Sequence, residues 1–306
     1  MRSPFCTDLR TESESFEMMS KFTDVARSSG QTVVRRAAAR TATRGPAFPP
    51  PPPIRDGGPF EQVDTHFGPL WMQASDEVMR PYLLRRKTWE ESTAALLRRL
   101  LRPKARFLDV GANVGYFSLF AHRLAHDIQI DAVEPHPVLH GLLQSNLWAN
   151  DVRARTHNVA FGDSRRLLPM SSPAMNPGDS RVGARTPDGR YDLVVPVIPA
   201  DELFARRTFD VVKIDVQGFE PDVILGMERI VSDSPAIVLV VEFWPSALEE
   251  RGLDPAEVLD RYRRLNFHIA VNDDGGTGTS TAEDVIAHCR SAGADGQVNL
   301  ILRRVA

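Results

Sequence analysis

The chain has 306 residues, and 37 Lys and Arg against 40 Asp and Glu leave a formal net charge of −3. That length buries a substantial core, in one large domain or a domain with appendages, and the charge balance excludes a nucleic-acid binder working through bulk positive charge. Its two cysteines, Cys6 and Cys289, form no Cys-x-x-Cys and no disulfide framework, which points to a reducing, cytoplasmic setting without structural zinc. The longest apolar runs, such as Ala236 to Val241, are strand-sized and too short for a membrane span. The first residues lack the continuous apolar stretch of a signal peptide.

Residues 1–59 read as a disordered extension. Met1 to Gly30 mixes Ser, Thr and Glu with few large apolar groups. Arg35, Arg36, Arg40 and Arg44 then decorate an Ala/Thr stretch, and Pro49 to Pro53 form a polyproline run. Such composition buries too little apolar surface to offset ordering entropy, and the prolines are expected to be extended. A short helix over 31–42 is expected inside it. Residues 60–105 read as a helical preamble to the folded domain. Thr88-Trp-Glu-Glu91 has the form of a capping box. It should start a helix with Leu96, Leu97, Leu100 and Leu101 on one side, stopped by Pro103. Glu90 is either a first-turn charge that suits the helix dipole or a cofactor contact.

From 106 to 306 strands and helices alternate. Phe107 to Val110 is an apolar strand bearing Asp109, and Gly111, Asn113 and Gly115 punctuate a tight turn. Phe117, Phe120, Ala121 and Leu124 follow at helical spacing. A dinucleotide fingerprint would read G-x-G-x-x-G. Here the order is Asp-x-Gly-x-Asn-x-Gly, and Asn113, which tolerates left-handed angles, replaces a glycine. The pattern fits S-adenosylmethionine better than NAD. Asp109 then sits under the turn, and the bare backbone at Gly111 lets the methionine end of the cofactor approach.

Ile128 to Val133 is the second strand, ending in Glu134-Pro-His-Pro137. An acid at this tip, about 20 residues past the first glycine, is placed to accept the ribose hydroxyls. Pro137 opens a helix with Val138, Leu139, Leu142, Leu143 and Leu147 buried, ended by Asn150 in left-handed conformation. Val152 to Val159 is the third strand, leading into Ala160-Phe-Gly-Asp163. Adenine would lie near its end, with Phe161 on the ring and Asp163 accepting from the amine; core packing and a turn role are the alternatives. Ser171 to Arg190 is an insertion suited to a flexible substrate lid, followed by a strand over Leu193 to Ile198.

Phe209 to Val216 is a buried strand carrying Lys213 and Asp215, then Gln217-Gly-Phe-Glu-Pro221 turns into a helix. Ala236 to Phe243 is a further buried strand with Glu242 near its tip. Asp254-Pro-Ala-Glu257 caps another helix, and strands at Phe267 to Val271 and Val298 to Leu302 flank a Gly-rich loop over Asp273 to Thr281. The result is an α/β fold: a doubly wound, Rossmann-like sheet of seven mostly parallel strands with an antiparallel last strand, and ligands at the strands' carboxyl ends.

Leu108-Asp-Val-Gly-Ala-Asn-Val-Gly-Tyr-Phe-Ser118, Val133-Glu-Pro-His-Pro137 and Val212-Lys-Ile-Asp-Val-Gln-Gly-Phe-Glu220 together resemble the FkbM-type methyltransferase family. Thr88-Trp-Glu90 and Pro199-Ala-Asp-Glu-Leu203 also sit where that family has similar residues, whereas Gln217 stands where it often has Glu. The resemblance covers roughly residues 85 to 245. It implies a class I S-adenosylmethionine-dependent methyltransferase that acts on a hydroxyl of a sugar or secondary metabolite. The partner is then a small-molecule acceptor, neither nucleic acid nor membrane, and nothing in the sequence sets the oligomeric state. Glu90, Asp109, Gly111, Asn113, Gly115, Glu134, His136, Phe161 and Asp163 are the expected cofactor contacts. Asp215 is the expected base or acceptor-orienting group, assisted by Glu242, with Lys213 on the same sheet face. Such carboxylates are also able to hold Mg²⁺. Two alternatives stand beside this reading: a nucleotide-cofactor oxidoreductase on a similar sheet, and a module that keeps the pocket without transfer.

Overall fold

The computed structural model describes residues 58–304 apart from 126, 185, 187–188, 273–279 and 294. The expected extension up to residue 57, its short helix and most of the Gly-rich loop after 272 lie outside the described residues.

The preamble does not open as a helix. Gly68 (φ 138°) reverses the chain between β1 (Phe60–Thr65) and β2 (Gly68–Gln73), an antiparallel hairpin that pairs Phe60 with Gln73. Helices α1 (Met79–Arg86) and α2 (Glu91–Leu100) follow. The Thr88 capping box is not formed. Glu90, at a left-handed φ of 43°, is the N-cap of α2, and the Thr88 hydroxyl donates to the Glu91 carboxylate at 2.9 Å. Leu96, Leu97 and Leu101 are buried as the spacing predicts.

The core alternates β3 (Arg106–Val110), α3 (Tyr116–Leu124), β4 (Gln129–Val133), α4 (Pro137–Ala149) and β5 (Ala154–His157). Asn150 ends α4 at φ −105°, so the left-handed residue is not Asn150 but Asp151 (φ 56°). Val138 faces solvent, because the buried stripe begins at Leu139. Past β5 the chain leaves the main sheet. Strands β6 (Ala160–Phe161), β7 (Arg166–Ser171), β8 (Arg181–Val182) and β9 (Leu193–Ile198) form a second sheet in the order β6-β9-β7-β8. The expected lid insertion therefore starts at the end of β7 and carries the short β8, with a 3₁₀ turn at Pro177–Asp179 between them.

The chain returns through α5 (Ala200–Leu203) to β10 (Val211–Ile214). The helix expected after Gln217 divides into α6 (Glu220–Leu225) and α7 (Glu228–Asp233). At the break, a Cβ on Gly226 would overlap the Gly162 carbonyl. Then come β11 (Val238–Phe243), α8 (Pro245–Glu250), α9 (Pro255–Arg264), β12 (Phe267–Val271), α10 (Ala282–Ser291) and β13 (Val298–Arg304). Helix α10 was not legible, although Thr281 and Asp284 form a reciprocal capping box at its start.

The main sheet has seven strands in the order β12-β13-β11-β10-β3-β4-β5, and β13 alone runs against its neighbours. Strands β3, β10 and β11 are covered on both faces, which explains their near-continuous apolar runs. The strand order reverses between β3 and β10, and the crevice outside their carboxyl ends is where such sheets bind ligands. Among the described residues no helix is long and apolar enough to cross a membrane.

Candidate active site

The turn after β3 is built by backbone. Gly111 and Ala112 both donate to the Val133 carbonyl at 3.0 Å, and Asn113 adopts the left-handed conformation (φ 52°) that its type allows. That conformation aims the Asn113 N–H at Glu134 Oε2 (2.8 Å), while the His136 N–H reaches Glu134 Oε1 (2.8 Å). Glu134 is thereby fixed at the tip of β4 and keeps lone pairs for a ligand. Burial pushes its carboxyl up to about 7, against those two N–H donors. Asp109 lies wholly buried beneath the turn, where it accepts from the Ser118 hydroxyl (2.7 Å) and leaves Oδ1 without a hydrogen-bond partner.

Gly111 has a role beyond the one expected of it. A Cβ there would overlap the Asp215 carbonyl oxygen, so bare backbone joins the turn to the tip of β10. Lys213 pairs in register with Asp109 across β3 and β10. Its Nζ donates to Asp215 Oδ2 (2.9 Å) and lies 3.9 Å from Asp109 Oδ1. Burial works against the Lys213 charge, yet Asp215, Asp109 and Glu90 hold the ammonium above its ordinary value. Gln217, left-handed at φ 54°, turns its amide back so that Nε2 donates to Asp215 Oδ1 (2.8 Å) and Glu242 Oε2 (2.9 Å). Glu90 joins from the start of α2, receiving the Thr93 hydroxyl at 3.0 Å, and Thr93 in turn accepts from Asn299 Nδ2 on β13 (2.9 Å). Burial, then the Asp215 charge, raises both Glu90 and Glu242.

One cleft of about 450 Å³ gathers these groups. Glu90, Gly111, Asn113, Glu134, Phe161, Lys213, Asp215 and Glu242 line it. Four expected residues do not. Asp109 lies beneath the turn, and Gly115 (φ 92°) caps α3 against Leu143. His136 uses Nδ1 to cap α4, accepting from Val138 and Leu139, and Asp163 is paired with Arg166 at 2.6 Å. Lining residues that the sequence did not reveal include Trp89, Tyr116, Gln217 and Trp244. Tyr116 was readable as the first residue of α3; its hydroxyl accepts from the Trp89 N–H at 2.8 Å. The expected lid reaches the cleft through Asn176 to Ser180. Beside this stretch Arg181 stacks on Trp244 at 4.4 Å and pairs with Glu250 at 2.9 Å.

The donor set suits a nucleoside cofactor with a ribose diol: a backbone-held carboxylate, a bare turn and an aromatic wall at Phe161. For a divalent cation the fit is poor, since the facing oxygens of Asp215 and Glu242 are bound by the Gln217 amide and Lys213 takes the other Asp215 oxygen. Among the described residues no group of three or more His, Cys, Asp or Glu is placed to hold a metal ion.

A family model described as the methyltransferase FkbM domain matches residues 109–269, a span from Asp109 through Glu242. The chain belongs to the FkbM methyltransferase family. It is an S-adenosylmethionine-dependent methyltransferase, and S-adenosylmethionine is its cofactor. The 31-O-demethyl-FK506 methyltransferase FkbM of Streptomyces tacrolimicus is 27% identical over 207 residues, 57% of this chain and 76% of that protein. Methyltransferase sdnD of Sordaria araneosa is 27% identical over 188 residues, 48% of this chain and 73% of its own. The crystal structure of a TehB-like SAM-dependent methyltransferase from Corynebacterium glutamicum aligns with a TM-score of 0.40 at 10% identity, over 74% of this chain and 94% of that one. In this FkbM methyltransferase the matched span includes the tips of β3, β4, β10 and β11 that line the cleft.

Proposed function

We propose that this FkbM methyltransferase transfers the methyl group to a hydroxyl oxygen of a small molecule, a sugar or another secondary metabolite. The observation that carries this reading is the Lys213–Asp215–Gln217–Glu242 chain of hydrogen bonds, at the strand tips beside the glycine turn. The relative from Streptomyces tacrolimicus is named for methylating an oxygen, which supports the same atom here.

S-adenosylmethionine supplies a methyl already activated on sulfur. The chain's residues therefore have two tasks: to align the reactants and to take a proton from the acceptor. Glu134 receives the ribose hydroxyls, Phe161 walls the adenine side, and Gly111 and Asn113 give the amino-acid end its bare backbone. Asp215 accepts the acceptor's proton or orients its hydroxyl. Lys213 and Gln217 each bind one Asp215 oxygen and so fix its rotamer, and Glu242 assists through the shared Gln217 amide. Asp215→Asn keeps the shape of the site and removes the proton acceptor. It should bind S-adenosylhomocysteine like wild type while kcat falls about a hundredfold or more. Near-normal turnover in this variant removes Asp215 from the mechanism.

A further inference from the structure

We propose that Glu90, Asp215 and Glu242, gathered around the single ammonium of Lys213, form a charge-sensing site that favours the sulfonium cofactor over its neutral thioether product. The inference rests on the reading of this cleft as the cofactor's site, and goes beyond it by giving the cluster a task in exchange rather than in transfer.

The position follows from the fold. Glu134 stands at the tip of β4 on one side of the glycine turn, and the cluster stands at the tips of β10 and β11 on the other. Gly111 packs on the Asp215 carbonyl, so the cluster directly adjoins the turn. A ligand with its ribose at Glu134 and its amino-acid end at the turn has its sulfur between these two, within reach of the cluster's field. Lys213 is the one cation placed among these carboxyls in the described residues, and Asp215 and Asp109 already face it. Its charge is thus answered before Glu90 and Glu242 are counted.

The product of methyl transfer differs from the cofactor by one methyl and one positive charge. A site that sensed shape alone would separate the two poorly, since one methyl is a small difference in a pocket of this size. Excess negative charge in a water-poor cleft separates them well. Burial and the Asp215 charge favour the protonated forms of Glu90 and Glu242 in the free protein. A cation beside them works against that preference, so binding the sulfonium favours loss of a proton that binding the thioether leaves in place. Glu134 also titrates near neutrality, but it faces the ribose common to both ligands and cancels from their ratio. Glu220, behind Glu242, is also raised to about 7, but the N–H groups of Val216 and Gly218 bind it whichever ligand is present, so it too cancels from their ratio. Tyr116, raised to about 12, stays neutral throughout.

The test is calorimetric titration of the full chain with S-adenosylmethionine and with S-adenosylhomocysteine, in buffers of different ionisation enthalpy, from about pH 6 to about pH 8.5. More protons should be released for S-adenosylmethionine than for S-adenosylhomocysteine. The preference for the former should grow with pH, by up to about tenfold per pH unit, wherever these carboxyls are protonated in the free protein and charged beside the sulfonium. Glu90→Gln and, separately, Glu242→Gln should each shrink that pH dependence and the excess of protons released for S-adenosylmethionine. Equal proton release and a pH-independent ratio in the wild-type protein would overturn the inference and leave the cofactor site standing. Failure to bind either ligand would take both down together.

Discussion

Glu134 and Asp215 stand on opposite sides of one glycine turn and are held in opposite ways. Two backbone N–H groups fix Glu134, one from Asn113 in the turn and one from His136 at the start of α4. Asp215 is fixed by side chains, Lys213 from its own strand and Gln217 from the turn beyond, and Gln217 in turn depends on Glu242 of the neighbouring strand. A carboxylate held by backbone tolerates changes in the side chains around it. One held by side chains is tunable, and each partner that tunes it is a separate point of failure.

Substitutions separate the two modes. The largest effect is expected where they meet: Gly111→Val forces a branched side chain into the Asp215 carbonyl at a φ of 75°. It should destabilise the fold by at least about 3 kcal/mol in chemical denaturation, and a well-folded variant would mean that the turn and β10 are not in contact. Glu134→Ala removes the proposed acceptor for two ribose hydroxyls while the backbone turn remains. S-adenosylhomocysteine affinity should fall roughly ten- to a hundredfold, at about 1.5–3 kcal/mol for a hydrogen bond to a charged group; wild-type affinity would take Glu134 off the ribose. Gln217→Leu cuts the link between Asp215 and Glu242. About tenfold lower kcat with unchanged cofactor affinity is expected, and a loss of affinity instead would assign Gln217 to the cofactor.

The smallest effect is a pH dependence. Glu134 and Glu220 are raised to about 7 in the folded chain by burial, against about 4.3 when unfolded. The folded state therefore binds more protons between these values, and stability falls as pH rises through that window. Lowering the pH from about 8 to about 6.5 should raise the Tm of the ligand-free protein by a few degrees, and Glu134→Gln should reduce the slope. His122, His136 and His140, whose pKa values are lowered in the folded chain, act in the opposite sense as the unfolded chain's imidazoles charge at about 6.5, and trim that rise at the lower end of the range. A Tm that climbs with pH across the same range would overturn the account.

The same contrast explains what could be read from the sequence. The strand–turn–helix around Gly111, Asn113 and Gly115 and the acid after β4 are local patterns, and local patterns survive without a structure. Asp215 and Glu242 were legible as acids near the tips of apolar strands. The Gln217 bridge was not, because it needs a left-handed residue and a partner 25 residues away. His136 and Asp163 lie close to the site in sequence, yet one is used as a helix cap and the other in an ion pair with Arg166. The hairpin β1–β2 escaped notice because its alternation is weak and its register is set at a distance: Trp71 exchanges hydrogen bonds with Asn146, on α4.

Strand β13 slots between β11 and β12, and its Asn299 reaches Thr93, which holds Glu90. During synthesis the turn, Glu134 and Asp215 leave the ribosome long before Asn299 does. Until then β11 and β12 lack the strand that separates them, and Glu90 lacks the support behind its own. The nascent chain can thus carry most of its proposed cofactor contacts while the sheet beneath them is still open, and the cleft takes its final form only when residue 299 has emerged.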